Sequence, residues 1–301
     1  MSAATSPASP SHKSTNVRVR SRAAGWTAGW TVGSYVAAPW VERAALARFV
    51  TAPHTSPAAP EVSGVKTHQF WIDGPVGRLC AYDWGDSGPT VLLAHGWGGT
   101  AAQMSGFVRP LLDAGFHVLA YDQPAHGSSA GRRATVRDFA AATAAVAAKA
   151  YRVHGVIGHS LGATAALLAL GHGLTADRLA LLAPAVELSF FVRGFAASLG
   201  LTPRRIDGVL ARAEAEIGPF DSFDVRTRAP SFSSAGLIIH DPRDREAPYA
   251  QAAALALAWP DAQLRTVEKL GHRRLLADLH VIRDAVDFMQ PGRVEGLSKT
   301  A

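Results

Sequence analysis

The sequence predicts an α/β fold with a mainly parallel central sheet and helices on both faces. Short apolar runs typical of buried strands alternate with alanine-rich runs typical of helices. Such alternation is characteristic of parallel sheets that are covered on both sides. It breaks once, over residues 184–233, where two helix-like runs separate consecutive strand-like runs. Loops that carry chemistry are expected at the carboxyl ends of the strands.

Each element follows from its composition. Strands are predicted where short runs are rich in apolar and β-branched residues. The first two predicted strands flank Asp73-Gly74-Pro75 and are expected to form a hairpin. Helices are predicted where longer runs are rich in alanine or other helix formers. The predicted strands are residues 68–72, 78–84, 90–94, 116–121, 151–157, 178–183, 235–240 and 262–267. The predicted helices are residues 101–114, 136–150, 163–170, 186–199 and 203–217.

The chain divides into four parts. The composition of residues 1–22 predicts a disordered basic tail. The composition of residues 23–60 predicts helices followed by a proline-rich linker. Residues 61–291 form one α/β domain, and residues 292–301 form a short tail. The 301-residue chain is 48% hydrophobic, which is enough apolar material for one large core.

The net charge of +6 belongs mostly to the N-terminal segment. Residues 1–60 hold six basic residues against Glu42 alone, a net charge of +5, so the remainder carries +1. The main domain therefore has no nucleic-acid footprint. The six basic residues are Lys13, Arg18, Arg20, Arg22, Arg43 and Arg48.

Residues 23–41 carry no charge and include Trp26, Trp30 and Trp40. Their length would permit a membrane span, but several glycines, threonines and a proline make the stretch weakly hydrophobic. We expect residues 23–50 to form helices packed on the main domain. Weak contact of residues 18–50 with a membrane surface stays open as an alternative. We expect a cytoplasmic protein without a secretory signal.

Cofactor chemistry is not expected. Cys80 is the only cysteine, which excludes an intrachain disulfide. The twelve histidines show no zinc-ligand spacing, and no glycine-rich nucleotide-binding motif is present. The sequence therefore predicts neither a metal nor a cofactor.

The most informative motif is Gly158-His159-Ser160-Leu161-Gly162, which lies between a predicted strand and a predicted helix. On such a sharp turn the serine hydroxyl is lifted clear of the sheet, and the flanking glycines relieve backbone crowding. The following helix supplies free N–H groups and a partial positive charge. These features predict that Ser160 is a nucleophile.

A serine nucleophile needs a general base, and histidine is favoured because its pKa lies near neutral pH. His272 follows the last predicted strand and is the candidate base. A carboxylate must hold its imidazole. The loop after residues 235–240 offers two, and we favour Asp244, with Asp241 before Pro242 as a turn former.

With these residues the chain resembles the α/β-hydrolase fold family, in its single-domain serine hydrolase (esterase-like) branch, over about residues 65–290. Two positions depart from the family pattern: Ala125 stands where a glycine is usual, and Asp241 follows His240 where a glycine is usual. The resemblance rests on five motifs in the family's order: His95-Gly96-Trp97-Gly98-Gly99, Asp122-Gln123-Pro124-Ala125-His126-Gly127-Ser128-Ser129, the Ser160 turn, His240-x-x-x-Asp244-x-x-x-Pro248, and Gly271-His272.

The resemblance implies roles for further groups. Backbone N–H groups of Trp97 and Leu161 would form the oxyanion hole. The spacing of Asp244 from His240 and Pro248 matches the family's acid loop, although Asp241 shares that loop. The inserted residues 184–233 would form a small helical cap over the active site.

Three phenylalanines fall in the first helix-like run of the predicted cap, namely Phe190, Phe191 and Phe195. An aromatic lining would exclude water and bind an apolar acyl or alcohol group. The same side chains could instead attach the cap to the rest of the domain, and both interpretations stay open.

Together these observations predict a serine hydrolase that cleaves a small ester-like acyl substrate through Ser160, His272 and Asp244. Acyl transfer, or hydrolysis of a thioester or a C–C bond, would use the same three residues. The aromatic, basic N-terminal segment also supports an alternative hypothesis, in which the chain is a non-catalytic, membrane-associated binding protein. The sequence names neither the substrate nor the oligomeric state.

Overall fold

An eight-stranded sheet forms the centre of the computed structural model, which describes residues 38–56 and 58–290. The spatial order of the strands is β1-β2-β4-β3-β5-β6-β7-β8. The first two strands form an antiparallel hairpin, and the other six are parallel to one another. The strands are β1 His68–Gly74, β2 Gly77–Trp84, β3 Thr90–Ala94, β4 His117–Tyr121, β5 Val153–His159, β6 Arg178–Leu182, β7 Ala235–His240 and β8 Ala262–Thr266.

Helices cover both faces of this sheet, so the predicted fold class is confirmed. The helices are α1 Ala38–Phe49, α2 Val108–Asp113, α3 Val136–Ala147, α4 Leu161–Leu170, α5 Leu188–Ser198, α6 Pro203–Ile217, α7 Val225–Arg228, α8 Tyr249–Ala258 and α9 Leu279–Met289. One face of the sheet packs against α3, α4 and α8, and the other packs against α2 and α9. Each central strand alternates its side chains between the two cores: Leu92 contributes to the first core, and Val91 and Leu93 contribute to the second.

The predicted helix at residues 101–114 is in fact two elements. Ala101–Phe107 is a 3-10 helix, and only Val108–Asp113 is α-helical. Pro110 explains the break, because it lacks an N–H group and its ring would collide with the carbonyl of residue 106 in a continuous α-helix. A proline is tolerated in the first turn, so the α-helix begins at Val108.

The start of α3 shows a signal that the composition did not reveal. The Thr135 side chain accepts from the backbone N–H of Asp138, and the Asp138 carboxylate accepts from the N–H of Thr135 at 2.7 Å. This reciprocal capping satisfies two of the N–H groups that a helix start leaves free. The pattern Thr-x-x-Asp therefore fixes the start of the helix at Val136.

Residues 184–233 leave the sheet after β6 and return at β7. They contain α5, α6 and α7, with 3-10 turns at Phe220–Phe223 and Ala229–Ser231. The N-terminal helix α1 packs against α6 and, less extensively, against α5. The described part of the N-terminal segment therefore lies on the inserted helices.

Predictions for residues 1–37 and 291–301 lie outside the described residues. Those residues include Trp26 and Trp30 and most of the segment considered for membrane contact. Within residues 38–56 and 58–290, none of the helices has the length and apolar character needed to cross a membrane. Trp40, near the start of α1, is 73% exposed.

Candidate active site

Ser160 lies on a strained turn between β5 and α4. Its φ of 52° and ψ of −121° fall in a region that non-glycine residues rarely adopt, at a cost of about 1–3 kcal/mol. The surrounding backbone holds this conformation, because the N–H of Ser160 donates to Leu182 O at 2.9 Å and its carbonyl accepts from Ala163 and Ala185. The turn places the hydroxyl at the carboxyl edge of the sheet.

Close approach of the backbone explains why Gly162 follows two residues later. A Cβ at this position would overlap the carbonyl oxygens of Ala94 and His95, at the end of β3. The helix α4 can therefore begin directly against the neighbouring strand. This packing sets the direction in which the start of the helix, and its free N–H groups, point.

His272 contacts the Ser160 hydroxyl. Its Nε2 lies 2.9 Å from Ser160 Oγ, and its Nδ1 lies 2.8 Å from Asp244 Oδ2. The His272 side chain is 7% exposed, and the Asp244 side chain is fully buried. The structure thus brings the three predicted residues into one hydrogen-bonded line.

Four donors surround the Asp244 carboxylate. Oδ1 accepts from the N–H groups of Glu246 and Ala247 at 2.7 and 3.1 Å, and Oδ2 faces the rings of His272 and His240 at 2.8 and 3.2 Å. Burial alone would raise the pKa of this carboxyl, but the hydrogen bonds from His240 and His272 hold it well below its usual range. Ionised Asp244 favours the Nδ1–H tautomer of His272, which leaves the Nε2 lone pair facing Ser160.

Asp241 has a different position from Asp244. Its Oδ1 accepts from the N–H of Arg243 at 2.8 Å, the turn-forming bond expected from the sequence. Its Oδ2 accepts from the N–H groups of Leu270 and Gly271 at 2.7 and 2.6 Å. Asp241 therefore fastens the loop that carries His272 to the loop that carries Asp244, a contact that the sequence did not indicate.

The loop after β3 passes close to the nucleophile. A Cβ at Gly96 would lie 2.8 Å from Ser160 Cβ. Later N–H groups of this loop are engaged, since Gly98 donates to His126 Nε2 and Gly99 donates to Gly96 O. Among the described residues, no hydrogen bond uses the backbone N–H of Trp97 or Leu161. Both remain available to a developing oxyanion.

Two buried histidines hold this loop in place. His95 Nδ1 lies 2.8 Å from Gly96 O, and its Nε2 accepts from the N–H of Gln123 at 2.9 Å. His126 Nδ1 lies 2.9 Å from Pro124 O. Burial lowers the pKa of His95 to about 3 and also lowers the pKa of His126. Both rings are therefore neutral near pH 7, as their mixed donor and acceptor contacts require.

His159 packs beside the base, and Ser160 follows it directly. Its Nε2 lies 2.9 Å from the backbone oxygen of His272, and the two rings are 4.8 Å apart. Burial lowers the pKa of His159 to about 3. His159 is thus a neutral donor that holds the main chain of His272.

The three phenylalanines of the predicted pocket do not share one environment. The ring of Phe195 lies 5.5 Å from that of Phe49 in α1, so this side chain joins α5 to the N-terminal helix. Phe190 and Phe191 contact each other edge to face at 5.4 Å. All three are partly buried. Their contact with substrate stays a prediction, and attachment of the helices accounts for Phe195.

Trp97 and Leu161 also contribute side chains to a small apolar cluster. The cluster contains buried Ala134, Phe139 and Ala165, and the Trp97 and Phe139 rings are stacked with their centroids 5.9 Å apart. Within residues 38–56 and 58–290, no cluster of three or more His, Cys, Asp or Glu side chains could hold a metal ion.

Comparison with known proteins finds a family model that matches part of the chain and many solved structures with a similar fold. Residues 85–215 match the family model described as serine aminopeptidase, S33. No curated protein matches the sequence. This chain is similar in structure to an esterase of Pyrococcus furiosus (19% identity, TM-score 0.61), with 79% of this chain and 97% of that chain covered.

Two enzymes of Bacillus subtilis have similar folds. The carboxylesterase CesB is 15% identical, with a TM-score of 0.57 over 85% of this chain and 100% of that chain. Naproxen esterase is also 15% identical, with a TM-score of 0.56 over 75% of this chain and 93% of that chain. At these identities the likeness concerns the fold.

Proposed function

We propose that this chain, which has the α/β-hydrolase fold and matches the serine aminopeptidase (S33) family model over residues 85–215, is a serine hydrolase that cleaves a small ester-like acyl substrate. The observation that carries this proposal is the unbroken line of hydrogen bonds from Ser160 through His272 to Asp244. A strained serine beside a histidine and a buried, ionised carboxylate is an arrangement suited to acyl transfer.

In the first half of the reaction, His272 Nε2 removes the proton of Ser160 Oγ as the oxygen attacks the substrate carbonyl. The backbone N–H groups of Trp97 and Leu161 donate to the oxyanion of the tetrahedral intermediate. Asp244 stabilises the positive charge that develops on His272. The protonated ring then donates its proton to the leaving alcohol, and the acyl group stays on Ser160.

In the second half, His272 removes a proton from a water molecule that attacks the acyl-enzyme. A second tetrahedral intermediate collapses, the proton returns to Ser160 Oγ, and the carboxylic acid leaves. No step of this cycle requires a cofactor. An acceptor alcohol or thiol in the place of water would give acyl transfer, so the ratio of the two outcomes depends on access to the acyl-enzyme.

Esters are favoured as substrates by the structural neighbours, since the similar folds include an esterase and two carboxylesterases. The family model is named for an aminopeptidase, so amides belong in any substrate test. Thioesters and activated C–C bonds use the same chemistry and are secondary candidates. Fold similarity alone does not choose among these bonds, because specificity depends on the shape of the pocket.

A fluorophosphonate probe combined with an ester panel tests the proposal. Wild-type protein should be labelled at Ser160 and should hydrolyse p-nitrophenyl esters at rates that depend on acyl length. A panel from acetate to decanoate, with an aminoacyl p-nitroanilide added, would identify the preferred bond and chain. Folded protein that takes up no label and cleaves none of these substrates would contradict the proposal and favour a non-catalytic binding protein.

A further inference from the structure

The helix α1 inserts a carboxylate into the side of α6. Glu42, whose side chain is 12% exposed, lies between Arg205 and Arg212, with each guanidinium 3.1 Å from one of its two oxygens. Gly208 lies on the same face of α6, and a Cβ there would overlap the Glu42 carboxylate. The missing side chain at Gly208 thus opens the space that the carboxylate occupies.

Apolar packing surrounds this ion cluster. Ala45 and Leu46 of α1 are buried in the same core as Val209 and Ala213 of α6. A mostly buried carboxylate between two cationic partners is costly to separate from them, because the carboxylate would lose its compensating charges. The helix α1 is therefore firmly seated on α6.

The residues that follow α1 contact the segment between β4 and α3. Thr51 forms a bridge with Arg133, and the N–H of Ala52 donates to Arg132 O at 3.1 Å. Thr55 Oγ1 accepts from the N–H of Gly127 at 2.7 Å. This segment therefore holds the turn that contains His126.

The same segment also contacts the loop that bears Trp97. A Cβ at Gly98, where φ is +71°, would lie 3.2 Å from Pro53 Cγ. Gly98 donates in turn to His126 Nε2 at 3.0 Å. One continuous stretch, residues 38–55, thus touches both the inserted helices and the loop predicted to bind the oxyanion.

We propose that residues 38–55 act as a two-ended clamp for the proposed hydrolase site. Glu42 holds α6, and α6 packs against α5, the helix that carries the phenylalanines of the predicted pocket, so Glu42 sets the position of α5 beside the acyl chain. Thr55 holds the turn that supports Gly98 and so fixes the N–H of Trp97. Both are positioning residues, since neither touches the reacting atoms. The inference rests on the proposed function and assigns a role to a segment outside the matched residues 85–215.

The two ends of the clamp predict different kinetic effects. Glu42→Gln removes the negative charge that α1 presents to Arg205 and Arg212, so α6 is held less firmly on α1. KM for p-nitrophenyl decanoate should then rise roughly tenfold, whereas KM for p-nitrophenyl acetate should change by less than roughly twofold. Thr55→Val removes the acceptor for Gly127 N–H. It should lower kcat for every ester by roughly three- to tenfold with KM unchanged, because the affected contact is made in the transition state.

Gly208→Ala separates positioning from helix stability. Alanine is the better helix former, but its Cβ would displace the Glu42 carboxylate. This variant should therefore reproduce the acyl-length effect of Glu42→Gln. Matched controls are Asp207→Asn and Thr51→Val. Asp207→Asn breaks an exposed ion pair between α6 and Arg193 of α5, and Thr51→Val keeps the backbone bridge to Arg133 but removes a hydroxyl that donates to Ala47 O within α1. Both controls should have wild-type kinetics.

Amide hydrogen exchange gives a measurement that does not depend on turnover. Glu42→Gln should speed exchange in residues 203–217, and Thr55→Val should speed it in residues 96–99 and 126–128, compared with the controls. If amide exchange in Glu42→Gln and Thr55→Val equals that of the wild type, the clamp is wrong. It is also wrong if both variants lose the same fraction of activity on every ester. Wild-type protein that shows neither esterase activity nor probe labelling would contradict the proposed function instead. Amide hydrogen exchange would then still test whether the clamp exists.

Discussion

The Ser160 hydroxyl is the group on which the proposed chemistry depends. Ser160→Ala should abolish essentially all ester hydrolysis, because no other described hydroxyl lies within a hydrogen bond of His272 Nε2. The alanine can take the same strained backbone conformation, held by the contacts to Leu182 and Ala185. Purified variant should therefore keep the wild-type circular dichroism spectrum while its ester turnover and fluorophosphonate labelling disappear.

Retention of more than a few per cent of wild-type turnover in folded Ser160→Ala would reject the assignment. Thr164→Val serves as the control. Its hydroxyl lies one turn further along α4 and donates to Ala185 O, so its loss should affect stability more than rate.

The two carboxylates of the acid loop should respond differently to replacement by asparagine. Asp244→Asn removes the charge that opposes the imidazolium of His272 and favours the wrong tautomer, so turnover should fall by about 10³- to 10⁴-fold. Asp241→Asn weakens two short bonds to Leu270 and Gly271 and should lower the free energy of unfolding by about 1–3 kcal/mol. Ester kinetics and thermal unfolding of both variants measure the difference.

An inactive Asp241→Asn that melts at the wild-type temperature, beside an active Asp244→Asn, would reverse the two roles. The sequence order of the motifs predicts Ser160, His272 and Asp244 as the catalytic residues, and their side chains lie in hydrogen-bond contact. It could not show that Asp241 reaches Leu270 and Gly271, since that contact arises only when β7 and β8 pair in the folded sheet.

At the scale of elements, the start of α4 is tightly constrained. Gly162→Ala should destabilise the protein by more than about 2 kcal/mol, because its Cβ would overlap backbone oxygens that cannot move away. Gly194→Ala is the matched control. Gly194 lies within α5 and has open space around its missing Cβ, so alanine should stabilise by about 0.5–1 kcal/mol through helix propensity. Thermal and denaturant unfolding measure both changes.

Equal effects of the two substitutions would show that the contact at Gly162 does not constrain the helix. The paired design separates this contact from helix propensity, because the same chemical change is made in both helices.

The elements that the sequence predicted best are those with strong local patterns. The apolar strands and the helix at Pro203–Ile217 have nearly the predicted bounds, since burial and propensity agree there. The seating of α1 was not predictable in the same way. Glu42 finds Arg205 and Arg212 across 163 and 170 residues of chain, so no local pattern indicates the contact.

At the scale of the whole molecule, buried histidines determine how stability depends on pH. Burial lowers the pKa of both His95 and His159 to about 3, whereas an exposed histidine in the unfolded chain has a pKa of about 6.5. At a pH between these two pKa values, the two histidines are protonated in the unfolded chain but neutral in the folded chain. The free energy of unfolding should therefore be highest above about pH 6.5 and should fall as the pH drops toward about 3.

Ionised carboxylates act in the same direction at lower pH. The pKa values of Asp241 and Asp244 are lowered, so their contribution is present above about pH 4, the ordinary range of an aspartate, and is lost as the solution becomes more acidic. Asp122 acts the other way, because burial raises its pKa. The histidines titrate first, and the initial loss of stability on acidification belongs to them.

The expected size of this effect is large for a single domain. At pH 5 each of the two histidines should lower the free energy of unfolding by about 2 kcal/mol, since one pKa unit corresponds to about 1.4 kcal/mol. The total free energy of unfolding of a typical domain is only about 5–15 kcal/mol. The melting temperature should decline from pH 7 to pH 5, before the carboxylates titrate. His95→Gln keeps one donor and one acceptor but cannot titrate, so its melting temperature should be lower at pH 8 and should decline less steeply. A wild-type melting temperature that stays constant from pH 8 to pH 5 would contradict the assignment of neutral, buried rings to His95 and His159.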